Sequence, residues 1–317
     1  MISFRYHVVS ITAVFLAIAI GVVVGSTYVD RAVVDNLEHR IDSVSNSLDE
    51  RKQAIDRLQD ELGEDRGYIT ASADFAVTGR LADVPVLLLA FRGVDEDAVR
   101  DLGLLARRSG GVVPGVVWIE PKWALASVDD RAALASAIGG DERATASRLR
   151  DQAWEAIVNE LVRPSAAGST TTVAAPDVLT PLQASGFLSV DALDDASVTL
   201  AALRGTSPRV LLLTGTSADE HLAPIASKII AAPIGAGLST VVAEDFVERS
   251  EGPARGSVLA SSVSKDLRDR VVLIDHADRP EGRVAAVLSL AAIAGGLVGH
   301  FGYGSGADGV LPSWTPP

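Results

Sequence analysis

The feature that most constrains this chain is a stretch with no charged side chain, from His7 to Asp30. Its 22 residues Val8–Val29, VVSITAVFLAIAIGVVVGSTYV, would span about 33 Å as a helix, which matches the hydrocarbon core of a bilayer. The competing reading is a cleaved signal peptide, whose apolar part runs for about 7–15 residues and ends in a small-x-small site. Here the run is longer and leaves through Val22-Val23-Val24-Gly25-Ser26, with β-branched residues where small ones are needed. It reads as an uncleaved anchor. Arg5 and the amino terminus precede it, while Asp30, Asp35 and Glu38 follow. The positive-inside rule then leaves the first seven residues in the cytoplasm and the body outside. Gly21 and Gly25 form a small-xxx-small pattern that lets two helix backbones approach closely, although a glycine-containing anchor without pairing fits the same residues.

Beyond the anchor, Val34, Leu37, Ile41, Val44, Leu48, Arg51, Ile55, Leu58 and Leu62 alternate at spacings of three and four. That is an a/d heptad seam interrupted only by Arg51, and β-branched residues at a favour two parallel strands. The spacing predicts a coiled-coil stalk over residues 30–66, closed by Gly63 and Gly67. A single amphipathic helix lying on the rest of the protein is the alternative. Through the seam and the glycine pair, a homodimer is expected.

From Val84 the pattern changes to strands buried on both faces, Val84–Phe91, Val112–Ile119, Arg209–Thr214, Leu238–Ala243 and Val271–Asp275. Helical patterns alternate with them, near Asp95–Arg108, Ala218–Ala232 and Arg283–Gly295, with a helical stretch over Ser127–Arg163. The expected fold class is α/β: a three-layer, mostly parallel sheet in an extracytoplasmic domain over 67–307. Pro164–Pro176 reads as a polar linker and 308–317 as a disordered tail with three prolines. The uncharged run Val284–Gly299 is too short and too rich in Ala and Gly for a second span, and predicts a buried core helix. Alternating ten-residue segments with aromatic girdles, the mark of a transmembrane barrel, do not occur.

Composition narrows the chemistry. A net charge of −13 argues against a nucleic-acid partner. Cysteine is absent and the only methionine is Met1, which removes disulfides, thiol catalysis, iron–sulfur ligation and soft ligands for Cu(I). No Walker loop, G-x-S-x-G elbow or H-E-x-x-H is present, so no enzyme is expected. Acids stand at strand ends: Glu120, Glu244-Asp245 and Asp275. In open α/β sheets that is where ligands bind, though such acids also serve as caps and turn residues. His7 and His39 belong to the anchor region and the stalk. Asp219-Glu220-His221 and Asp275-His276-Ala277-Asp278 place acids beside histidine, which makes His221 and His276 candidate metal ligands, with His300 a third. Each also fits a solvated loop histidine. The glycine-rich run Gly299–Ala307 suits either an anion-binding nest or close packing on the sheet.

Two stretches carry a family resemblance. Met1–Ser26, with Met-Ile-Ser-Phe-Arg-Tyr-His ahead of an Ala/Val-rich span ending Gly-Val-Val-Val-Gly-Ser, resembles the start of the actinobacterial copper transporter family (MctB-like). Gly282-Arg283 and then Gly295–Ala307, GGLVGHFGYGSGA, are similar to that family's end. The resemblance implies a role in copper transport or efflux and homeostasis, with copper as the transported ion and no cofactor. It places the protein in the cell membrane or, alternatively, the outer membrane (mycomembrane). A cell-separation branch of the same family (SteB-like) implies the alternative, a non-enzymatic scaffold with cytoplasmic and cell-wall protein partners.

Overall fold

The computed structural model describes residues 4–162, 177–194 and 200–313, with the side chains of 26–35 left out. The predicted linker therefore lies outside the described residues, as do the side chains of Val34 and of the last residues of the apolar stretch. The first helix, α1 (Phe4–Val77), contains both N-terminal patterns. The chain divides into two compact units between Asp65 and Arg66.

In the first unit, Phe4–Gly25 is long and apolar enough to cross a membrane, and its side chains are exposed. The hydroxyl of Thr12 donates to the Val8 carbonyl at 2.9 Å, which satisfies the polar group within the helix itself. Leu37, Ile41, Val44, Leu48, Ile55, Leu58 and Leu62 are each more than half exposed. The predicted stop at Gly63 and Gly67 is corrected by the structure, because α1 runs on to Val77. Each helical glycine costs about 1 kcal/mol relative to alanine. Burying Val77 returns about 1.5–3 kcal/mol, and Ala73 is buried with it.

The second unit is built on seven strands in the order β3-β2-β1-β4-β5-β6-β7. In chain order its elements are β1 (Val86–Phe91), α2 (Glu96–Arg108), β2 (Val116–Ile119), α3 (Val128–Ile138) and α4 (Ala146–Val162). Next come α5 (Leu179–Ala184), β3 (Leu188–Asp191), β4 (Arg209–Gly215), α6 (Ala226–Gly235) and β5 (Thr240–Asp245). The last are α7 (Ser257–Ser262), β6 (Val271–Ile274), α8 (Pro280–Ala292) and β7 (Gly299–Phe301). All pairings are parallel except β2 with β3. Every residue of β1, β2, β5 and β6 is buried, as continuous apolar strands covered by helices on both faces require. α8 buries Val284, Ala285, Ala286, Val287 and Leu290, so the uncharged run is a core helix as far as Ala292.

Two strands carry no readable pattern of their own. β3 is a four-residue antiparallel edge and β7 has three residues, one of them glycine. Of the tail expected to be disordered, 314–317 lie outside the described residues, while its start is bonded: Asp308 N donates to the His300 carbonyl at 2.6 Å and Gly302 N to that of Gly309 at 2.8 Å. Gly309 also pairs with Phe301 in a parallel bridge, so backbone bonds tie the start of the tail to β7.

Candidate functional site

In this fold the strand order reverses between β1 and β4, where an open α/β sheet usually leaves a ligand crevice. Here backbone fills it. Asp219 N donates to the Arg92 carbonyl at 2.8 Å, and a Cβ on Gly93 would lie 2.7 Å from the Ser217 carbonyl oxygen. Glu120, at the end of β2, is engaged too. It pairs with Arg92 at 2.6 Å, and the same guanidinium donates to Ser189 of β3 at 2.8 Å and lies over the Trp118 ring at 4.4 Å. Burial pushes the Glu120 carboxyl up, but the Arg92 and Ser189 hydrogen bonds outweigh it and hold the group below its usual range. That acid clamps three strands together.

The acids of β5 and β6 are different. Successive strand residues face opposite sides of a sheet, so Glu244 and Asp245 diverge. Asp245 accepts from Asp95 N at 3.3 Å and lies 3.4 Å from the Ser217 hydroxyl, on the side of the β1 and β4 loops. Glu244 points toward the start of α7 and accepts from Gly256 N at 2.6 Å, while its Oε1 is buried without a partner. Desolvation raises the Glu244 pKa to about 7, with the Asp275 charge adding to it.

Asp275, one residue past β6, is the centre of the arrangement. It is fully buried and takes three donors: His300 Nε2, Tyr303 N and Gly304 N, all at 2.8 Å. Burial alone would raise its pKa; the imidazole and the two backbone N–H groups more than offset that and keep the carboxylate below its usual range. Because an ionised carboxylate only accepts, His300 Nε2 carries the proton in this pair. The glycines of the terminal run make the approach feasible. Gly302 has φ +147, and a Cβ there would fall 1.8 Å from Asp275 Oδ1. The glycine-rich run is thus a close-packing device around a buried carboxylate. Arg255 closes the other side, with bonds to Asp278 at 2.6 and 3.0 Å and to the Asp275 carbonyl at 2.8 Å.

The three candidate histidines meet separate fates. His221 is exposed and bonded to its neighbour Asp219 at 2.9 Å. His276 is fully buried, stands edge-on to Tyr303 at 5.1 Å, and has hydrogen-bond partners for neither ring nitrogen. Desolvation lowers its pKa and keeps it neutral. His300 lines a cleft of about 430 Å³ together with Gly256, Arg268, Asp269, Ser305 and Asp308. Among the described residues, no group of three or more His, Asp or Glu side chains converges as a metal cage. Sequence proximity coupled Asp275 to His276, whereas the fold couples it to His300. Arg255 and Asp308 carry no motif that would have announced their part, whereas Tyr303 lies within the glycine-rich run. A second cavity, about 440 Å³ between α4 and α6, is lined by Trp154, Val158 and Ala232, with the Lys228–Asp151 pair at 3.4 Å, and holds none of the strand-end acids.

Fold and site together define a class: an α/β domain on a seven-stranded, mostly parallel sheet, in a chain that begins with an apolar helix of membrane-spanning length. The family model described as "Copper transport outer membrane protein, MctB" matches residues 1–312, and the chain belongs to that family. It is similar to the copper transporter MctB of Mycobacterium tuberculosis and that of Mycobacterium bovis, each 26% identical over 99% of this chain and 100% of the relative. The copper transporter MctB of Mycobacterium leprae is 24% identical over 98% of this chain and 99% of its own length.

Proposed function

We propose that this chain is a non-enzymatic, single-span cell-envelope protein that takes part in copper efflux and homeostasis. Phe4–Gly25 is its anchor, with the N-terminus in the cytoplasm and the α/β domain outside. The observation that carries the reading is the extent of the family match, which runs through anchor and domain alike to residue 312. One helix cannot enclose a pore, so passage of an ion requires several copies or a partner. Copper content of a deletion strain, measured by elemental analysis after a copper challenge, tests the reading. Accumulation that the full-length gene reverses is the expected result; copper levels equal to those of the parent strain would refute it.

A second reading rests on the exposed seam of Leu37, Ile41, Val44, Leu48, Ile55, Leu58 and Leu62. Seven large apolar side chains at heptad spacing suit a coiled-coil partner, which favours a homodimeric scaffold that holds cell-wall hydrolase machinery. Crosslinking through stalk positions in cells, followed by pull-down, should then recover a division or wall-hydrolysis protein besides the second copy.

A further inference from the structure

We infer that two copies of this chain meet along one continuous face of α1, which crosses the membrane span through Leu16 and Ile20 and turns Gly21 and Gly25 away from the partner. The inference rests on the second reading above, in which the stalk seam pairs two copies, and carries that interface into the anchor.

The helix itself transmits the register. α1 is one α-helix from Phe4 to Val77, with no break between span and stalk. Counting back from Leu37 and Ile41 in steps of seven, the seam positions d and a fall in the span on Val9, Ala13, Leu16, Ile20 and Val23. All five are apolar, and Leu16 and Ile20 are 62% and 58% exposed. The polar positions of the register, Thr27 and Asp30, fall at the end of the span. Gly21 then takes position b and Gly25 position f, about 130° and 180° from the seam at 3.5 residues per turn. An ideal straight helix leaves them on the same side, since its drift of about 20° per heptad totals about 60° over that distance.

The geometry of pairing leads the same way. Two helices that meet through a small-xxx-small pair cross right-handed at about 40°. Leu48 lies about 37 Å along the helix from the glycine pair. Axes crossing at that angle would be about 25 Å apart there, whereas packed helices need about 8–10 Å. A left-handed coiled coil keeps the same faces together throughout. The flanks fit a second copy as well. Two copies inserted the same way up are parallel, so position g of one helix meets position e of the next heptad on the other. Those meetings are Arg40 with Ser45, Ser47 with Lys52 and Ala54 with Gln59, and none opposes like charges. Arg51 is the one charged seam residue between Leu37 and Leu62, and a lone polar residue in a seam fixes its register at a cost in stability.

The chain has no cysteine, so single-cysteine variants of the full-length protein, oxidised in membranes and run on a non-reducing gel, test the register. Leu48→Cys, Leu16→Cys and Ile20→Cys should each give a disulfide-linked dimer band, and Gly21→Cys and Gly25→Cys none. Gly21→Leu with Gly25→Leu should leave the detergent-solubilised chain a dimer in light scattering. A dimer band from either glycine position, or loss of the dimer in the double-leucine variant, would overturn the inference. So would crosslinking at Leu48 alone, an outcome that leaves the stalk dimer intact. A missing band at Leu48 as well would remove the second reading and this inference with it.

Discussion

Glu244 is the side chain whose environment is least suited to its charge. It is buried, one oxygen has no partner, and its pKa is raised to about 7. The native state therefore keeps a proton that the unfolded chain releases above about 4.5. Between those values the unfolded state binds fewer protons, so stability falls as pH rises from about 4.5 to about 7 and then levels off. A shift of that size has a ceiling of about 3 kcal/mol. Glu244→Gln removes the titration while keeping the shape, and thermal melts from pH 4.5 to 8 should show a flatter profile than the wild type. Gly302 makes a second residue-scale prediction. In Gly302→Ala the new methyl meets Asp275 Oδ1 at 1.8 Å in a positive-φ conformation, which forces the loop off the carboxylate. A loss of about 3 kcal/mol or more, seen as a fall in melting temperature or in soluble yield, is expected.

At the scale of elements, local chemistry explains what was legible in the sequence. α2 begins where Asp95 caps it, accepting from Asp97 N at 2.9 Å and Ala98 N at 3.3 Å, and its last turn carries Arg107 and Arg108 against the helix dipole. The buried strands announced themselves as apolar runs because both faces are covered. β3 and β7 did not, since short edge strands take their conformation from the neighbour they pair with. α1 overran its two glycines for the same kind of reason: packing of Ala73 and Val77 in the domain outweighed a local propensity. The stalk supports a prediction of its own. If the exposed heptad seam pairs two copies, Ile41→Asp with Leu48→Asp should convert a dimer to a monomer in light scattering of the detergent-solubilised chain. The melting of the α/β domain should stay unchanged, because those positions lie in the other unit.

For the whole molecule, the N-terminal helix, the heptad spacing and the α/β class were decided by the sequence alone, because each is a local pattern that repeats within one element. The family signature also sits at the two ends of the chain and needs no folding to be read. What only the tertiary structure decided is which of the scattered acids and histidines meet. Asp275 and His300 are 25 residues apart and meet only because β7 adds in parallel beside β6, pairing His300 with Leu273, two residues before Asp275. His276, adjacent in sequence to the same acid, is turned into the core, since consecutive residues at a strand end face opposite sides. The glycines at 302 and 304 gain their meaning from that meeting as well. They are small because a buried carboxylate occupies the space where their side chains would be.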